Sequence, residues 1–233
     1  METMPENKTS SYIIKSQEEE MKRVALELHE GVGQTLYSIY TGLQLIENSL
    51  NQPEMKRYAH NMAELLEKTI QEIRLFSVEL YPPALTTSGL LAAIKHYGKL
   101  YTSTFGIEVE VESIGKETWI PEDKNIILFR VCQEALANIA KYADTSNAKI
   151  TFTWTEESLT IVIADEGKGF IISDKINHSS GLAAMKERMF LAGGDCIIAS
   201  ALGKGTAVTI RLPLKKCDRK EIGEMERRGK DND

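Results

Sequence analysis

Hydrophobic residues recur along the first third of this chain at helical spacing. From about Glu18 they fall at Met21, Ala25, Leu28, Val32, Leu36, Ile39, Leu43, Ile46 and Leu50. The steps are three or four residues, the period of a bundle seam. Asn51-Gln52-Pro53 interrupts the pattern, and proline is favoured at the first position of a helix. A second seam follows at Met55, Tyr58, Met62, Leu65, Thr69, Ile73, Phe76 and Leu80. It should stop before Pro82-Pro83, because the residue ahead of a proline is pushed out of helical geometry. The spacing predicts a helical hairpin over 17–82, after a flexible leader at 1–16. Two helices cannot shield two continuous apolar seams. A second copy completing a four-helix bundle would do so, which predicts a homodimer. The alternative is a hairpin packed on the C-terminal half.

Beyond the hairpin the pattern changes. Residues 83–104 read as a linker and helix. Gly106–Ser113 alternates as a strand, and Pro121–Ala143 carries a strong helical period. Lys149–Thr155 and Leu159–Ala164 are β-like runs rich in Ile, Val, Thr and Phe. A helix at Gly181–Ala192 and strands at Cys196–Ser200 and Ala207–Leu212 complete the set. Helices mixed with adjacent strands predict an α+β domain over 105–213. The mixed-charge tail at 214–233 has little to bury and is expected to be disordered or a frayed helix.

Composition changes this picture little. The chain is 42% hydrophobic and 27% charged, with a net charge of -6. An acidic balance disfavours a nucleic-acid surface, which leaves a basic footprint. Cys132, Cys196 and Cys217 are scattered and form no zinc spacing, so a reducing compartment fits. No apolar run reaches membrane-spanning length, and Met1–Ser16 lacks the apolar core of a signal peptide. A cytosolic protein, or the cytosolic portion of a longer one, is expected.

The chemistry begins at Glu27-Leu28-His29-Glu30-Gly31-Val32-Gly33-Gln34. Each glycine costs about 1 kcal/mol relative to alanine in a helix interior. A helix carrying two of them beside a histidine and an acid presents that imidazole to something. Gly33 lies one turn beyond His29, so no side chain crowds the ring there. Glu30 and Gln34 form an adjacent polar stripe. His29 is therefore read as a nucleophile that accepts a phosphoryl group. His60, His96 and His178 lack such a setting and are read as surface or packing residues.

Three phosphate-site candidates follow. Glu134, Asn138 and Lys141 lie on or near one helical face, where a carboxylate, a carboxamide and an ammonium can hold hydrated Mg²⁺ and a phosphate chain. Taken alone they equally describe a solvated face. Asp165-Glu166-Gly167-Lys168-Gly169 ends a strand, and an aspartate buried there could accept a hydrogen bond from adenine. It could also be an ordinary turn. Gly181-Leu182 opens a helix whose N–H groups can meet phosphate, behind a lid-like stretch at Phe170–Ser180. Gly203-Lys204-Gly205-Thr206 is either part of that site or a hairpin turn, and it lacks P-loop spacing.

The order of these motifs resembles that of two-component sensor histidine kinases, in the nitrate-sensing and membrane-fluidity-sensing subgroup. The resemblance covers roughly 18–213. Arg23-x-x-x-Glu27-Leu28-His29-Glu30-x-x-x-Gln34 resembles the subgroup's phosphoacceptor motif, and Leu80-Tyr-Pro-Pro-Ala-Leu85 with Gly89-Leu90 is similar to the segment behind it. Gln133-Glu134-Ala135-Leu136-x-Asn138-x-x-Lys141 resembles the N box. Asp165-x-Gly167-x-Gly169 and Gly181-Leu182-x-x-Met185-x-x-Arg188 resemble the two glycine boxes, and Gly203-x-Gly205-Thr206 the last phosphate-side turn.

The resemblance implies a dimeric four-helix phosphotransfer bundle followed by a two-layer α/β sandwich ATPase domain of the Bergerat type. It implies ATP and Mg²⁺ as cofactors, with Asn138 on the metal, Lys141 on phosphate and Asp165 on adenine. Glu134, Gly167, Gly169, Gly181, Leu182, Gly203, Gly205 and Thr206 would shape the pocket. Glu30 would hold the His29 imidazole or take its proton, and Gln34 would orient water in regulator dephosphorylation. The partner implied is a response regulator with a receiver domain, usually with a helix-turn-helix output. Tyr142 departs from the subgroup, which often has histidine there, and no sensory domain precedes the histidine helix. These departures allow a degenerate dimeric scaffold, and the shared ATPase fold allows a serine kinase of the anti-sigma-factor type, which lacks a phosphoacceptor histidine helix.

Overall fold

The computed structural model describes residues 6–172 and 180–214, with side chains from residue 16 onward. The predicted lid and tail fall largely outside these residues, as do His178 and Cys217, whereas most of the predicted flexible leader lies within them and is helical from Glu6. The chain divides into two compact units, Met1–Val109 and Glu110–Asp233.

The first unit is helical. Helix α1 (Glu6–Leu26) runs into a π-helical turn at Glu27–Val32 and on into α2 (Gly33–Ser49). The helix thus begins before the expected Glu18. No glycine or proline interrupts Glu6–Leu26, so nothing in its backbone chemistry stops it. After the connection at 50–52, α3 (Pro53–Leu80) opens with its proline in the first turn. It ends at Tyr81, which is extended (φ -163°, ψ 117°) ahead of the two prolines. The register of the hairpin is antiparallel. His60 Nδ1 lies 3.1 Å from Glu47 Oε1 near the turn, and Ser77 Oγ donates to the Ala25 carbonyl at the far end, 2.8 Å away. Helices α4 (Ala84–Thr87) and α5 (Gly89–Phe105) follow. Helix α5 buries Leu90, Ala93, Ile94, Tyr97 and Tyr101 and ends at Gly106, whose φ of 70° suits glycine.

The apolar seams differ from expectation in one respect. In α3 the buried residues are Ala59, Ala63, Ile70, Leu75, Ser77 and Val78. Met55, Tyr58, Met62, Leu65 and Phe76 are exposed, as are Val32, Ile39 and Ile46 on the preceding helix. Toward the turn α3 buries the small residues Ala59 and Ala63, because alanines let two backbones approach. The large side chains therefore remain on another face.

The second unit has helices on one side of a five-stranded sheet. Its strands are β1 (Glu108–Ile114), β2 (Asn147–Trp154), β3 (Ser158–Asp165), β4 (Asp195–Ser200) and β5 (Thr206–Pro213), in the order β1-β2-β3-β5-β4. β2, β3, β5 and β4 pair antiparallel in that order. Helix α6 (Glu122–Asn138) continues into a second π-helical turn at Ile139–Ala143, and α7 spans Ser180–Leu191. Strand alternation sends Ile150, Phe152, Leu159, Ile161, Ile163, Val208, Ile210 and Leu212 inward, where Leu128, Phe129, Cys132, Leu136, Met185 and Met189 complete the core. Burial holds the Cys132 thiol up to about 12 and raises Cys196 as well, so both stay protonated and unreactive.

Candidate active site

His29 sits within the π-helical turn rather than in regular helix. The following Gly33 N–H bonds to the Leu28 carbonyl, five residues back. Such turns insert one residue into the helix and recur at functional sites. Here the insertion changes which side chains share a face. Leu28, His29, Gly33, Gln34, Tyr37, Ser38, Ile73 and Arg74 line a cavity of about 390 Å³ between the two arms of the hairpin. The antiparallel register explains the partners. Residue 25 meets 77 and residue 47 meets 60, so His29 falls opposite Ile73 and Arg74.

Gly33 thus stands with His29, as its spacing suggests, and Gln34, expected in the Glu30 stripe, lines the same cavity five residues on. Glu30 does not line the cavity, and no hydrogen bond joins it to His29 among the described residues. His96, expected as a surface or packing residue, is exposed and also stands near the site. Its pKa is lowered by partial burial, and by the charges of His29, Lys99 and Arg74. Sequence spacing missed Arg74 and His96 because each comes from another helix. Only the hairpin register could have found Arg74.

The second unit assembles the other cluster. Asn138 Nδ2 donates to Glu134 Oε1 at 3.4 Å, which leaves the carboxamide oxygen outward. The start of α7 packs on this pair. A Cβ on Gly181 would strike Glu134 Oε1 and come within 3.8 Å of Asn138 Nδ2. A side chain there would displace the carboxylate end of Glu134. Lys141 lies in the π-helical turn and is exposed, as is Tyr142.

Asp165 ends β3 on its inward face and is only 7% exposed. Its Oδ1 accepts the Gly167 N–H at 2.8 Å, which is turn chemistry. Gly167 packs on the Ala143 backbone, and a Cβ on Gly205 would strike the Asp165 carbonyl. Residues 201–205 form the hairpin between β4 and β5, with Gly203 and Gly205 both at positive φ (71° and 69°). The segment is a hairpin turn, and it abuts Asp165. Ser200, which the motif reading passed over, ties the cluster. Its hydroxyl donates to the Gly205 carbonyl at 2.9 Å, accepts the Phe170 N–H at 2.9 Å and lies 3.0 Å from Thr206 Oγ1.

A cavity of about 410 Å³ runs along Ala164, Asp165, Ala199–Ala201 and Lys204–Ala207. Cross-strand neighbours Ala164, Ala207 and Ala199 form its floor. Those side chains alternate with the inward ones, so this groove lies on the outer face of the sheet. The motif residues Glu134, Asn138 and Gly181 converge instead on the helical side.

Residues 20–85 match the family model described as "Histidine kinase". Residues 123–216 match the one described as "Histidine kinase-, DNA gyrase B-, and HSP90-like ATPase". The chain belongs to the histidine kinases. Relatives of this histidine kinase chain include the signal transduction histidine-protein kinase/phosphatase DegS of Brevibacillus brevis, 32% identical over 205 residues. That alignment covers 87% of this chain and 53% of the relative. The oxygen sensor histidine kinase NreB of Staphylococcus carnosus is 30% identical over 214 residues, covering 91% of this chain and 62% of that one. The chain therefore spans between half and two thirds of the length of these relatives. A histidine kinase domain from Erythrobacter litoralis superposes with a TM-score of 0.48 at 13% identity, covering 78% of this chain and 94% of that one. No described helix is long and apolar enough to cross a membrane.

Proposed function

We propose that the chain is the catalytic portion of a cytoplasmic sensor kinase that phosphorylates itself on His29 and passes the group to an aspartate of a response regulator with a receiver domain, of the helix-turn-helix output type. The observation that carries this is the opening of His29 and Gln34 onto one cavity, in a chain that also holds an ATPase domain of the family. In the first step an imidazole nitrogen attacks the γ-phosphorus of ATP. The N–P bond forms as the bond to the bridging oxygen breaks, and ADP leaves with its electron pair. The proton on the other ring nitrogen passes to Glu30, directly or through one water. Catalysis of this kind is mostly positioning and charge stabilisation.

Proposed roles in the second unit follow the same reading. Asp165 takes the adenine amino group, Lys141 a phosphate oxygen, and Gly167, Gly169, Gly181, Leu182, Gly203, Gly205 and Thr206 the pocket wall. The hard oxygen donors of Asn138 and Glu134 suit Mg²⁺, and no group of three or more His, Cys, Asp or Glu among the described residues could form a dedicated metal cage. That is the donor set of an ion carried largely by phosphate and water. Mg²⁺ would supply charge neutralisation on the phosphates. Residues 17–82 serve as the dimerisation and phosphotransfer domain and 105–213 as the ATPase domain. Gln34 supports a phosphatase activity toward the regulator, an activity named for the Brevibacillus relative.

The test is labelling with γ-labelled ATP and Mg²⁺ of the parent and a His29→Ala variant. Acid-labile, base-stable label confined to the parent is expected. Acid-stable label would indicate serine chemistry, and an unlabelled chain that fails to bind ATP would indicate a scaffold.

A further inference from the structure

The cavity beside His29 has a cationic lining and no acid. Of its eight residues only His29 and Arg74 can carry charge, and neither Asp nor Glu reaches it. Arg74 enters from α3, across the hairpin from the imidazole. It forms no hydrogen bond or ion pair among the described residues. Two further basic groups stand behind it. His96 and Lys99, three residues apart on α5, share one electrostatic neighbourhood with Arg74 and His29. Three helices thus bring basic groups together around one imidazole, and like charges so placed repel. An anion entering this cluster would be attracted to it.

We propose that Arg74 is a phosphoryl-binding residue of the His29 site, its guanidinium receiving the oxygens of the group that is arriving on, or held by, the imidazole. A guanidinium offers two parallel N–H donors to two oxygens of a phosphoryl group, a geometry lysine cannot reproduce. The remaining lining fits the same ligand. Gln34 and Tyr37 supply neutral donors on the opposite wall, while the Ser38 hydroxyl donates to the Gln34 carbonyl at 2.9 Å. The cavity of about 390 Å³ is ample for a phosphoryl group. Lys99 deepens the positive field without occupying the cavity wall. This inference rests on the reading of His29 as the phosphoacceptor.

Phosphoramidate tests it without ATP and without a regulator. The imidazole nitrogen attacks phosphorus, the donor P–N bond breaks, and ammonia leaves with that electron pair and the imidazole proton. Full-length parent, Arg74→Gln and Arg74→Lys would be compared for acid-labile label on His29, and separately for kcat and KM with ATP. Arg74→Gln should lose about a hundred-fold in labelling rate by phosphoramidate, the scale of one removed oxyanion donor. The same loss should appear in kcat, with KM for ATP unchanged. Arg74→Lys should recover part of the rate. Arg74 is exposed, so thermal unfolding of the variants should match the parent, and a variant that melts early is replaced by Arg74→Met. Equal phosphoramidate rates in parent and Arg74→Gln overturn the proposal. So does a loss seen only in transfer to a regulator, which would make Arg74 a docking residue. If the parent itself takes no label on His29 from either donor, the phosphoacceptor reading has failed and this inference falls with it.

Discussion

A glycine can be diagnostic when the space for a side chain is already taken. Gly181 is such a position, because the carboxylate end of Glu134 lies where its Cβ would be and would have to swing away from Asn138 to admit one. Gly181→Ala should weaken binding of a fluorescent ATP analogue at least ten-fold while the helical unit still melts normally. Unchanged affinity would remove Gly181 from the site. His96 offers a second residue-scale test. Burial, then the neighbouring cations, hold its pKa below the ordinary value near 6.5. The unfolded chain therefore binds this proton more readily than the folded one, and stability falls as pH drops through the ordinary histidine range. The loss levels off below the lowered folded value. Thermal unfolding of the parent at pH 7.5 and 5 should show it, and His96→Gln should show a smaller difference. A phosphoryl group on His29 would reverse the sign of the local charge and raise the His96 pKa, which histidine proton NMR would register.

The element that matters most is the π-helical turn at Glu27–Val32. Inserting a residue rotates everything beyond it, so it decides which face His29 presents. It is tied from outside the helix. Ser77 and Ala25 are both fully buried, and the Ser77 hydroxyl satisfies the Ala25 carbonyl just before the turn begins. Removing the donor would strand a buried carbonyl at a cost of about 1–3 kcal/mol. Ser77→Ala should therefore lower the melting temperature and speed amide exchange in 27–33 before it does so elsewhere. Uniform faster exchange would mean that the bond serves the hairpin generally and not this turn. The second π-helical turn, at Ile139–Ala143, follows Asn138 directly. It leads into Asp144 at a φ of 57°, so each proposed site contains one irregular helical turn.

At the scale of the molecule, the hairpin keeps its largest apolar side chains in solvent. Tyr58 is 67% exposed, Leu65 59% and Ile46 56%. Such a patch marks an interaction surface, and a second copy would cover it in a four-helix bundle. Leu65→Glu should convert a dimer to a monomer in sedimentation velocity, with the ATPase unit still binding nucleotide. A parent that sediments as a monomer at micromolar concentration would refute the dimer. Loss of labelling in the monomeric variant alone, restored by mixing with a His29→Ala variant, would further indicate transfer between protomers.

Much of this was written in local pattern. The hairpin, its proline punctuation, five strands and two helices of the sheet unit follow from period, breaker residues and β-branched runs, each of which acts over a few residues. Motif residues such as His29, Asn138 and Asp165 were likewise visible, because their helix or strand neighbours set their facing. What the pattern could not decide was which of two apolar faces on one helix closes the hairpin. Ala59 and Ala63 won over Met55 and Leu65 because close backbone approach depends on both helices at once. Nor could it place the π-helical turn, or the bond just ahead of it from Ser77 to Ala25, fifty-two positions away. Arg74 and His96 reached His29, and Ser200 reached Gly205 and Phe170, only through packing register. Charge and hydrogen-bond partners between distant segments are properties of the folded chain, and the sequence holds them only as residues awaiting that register.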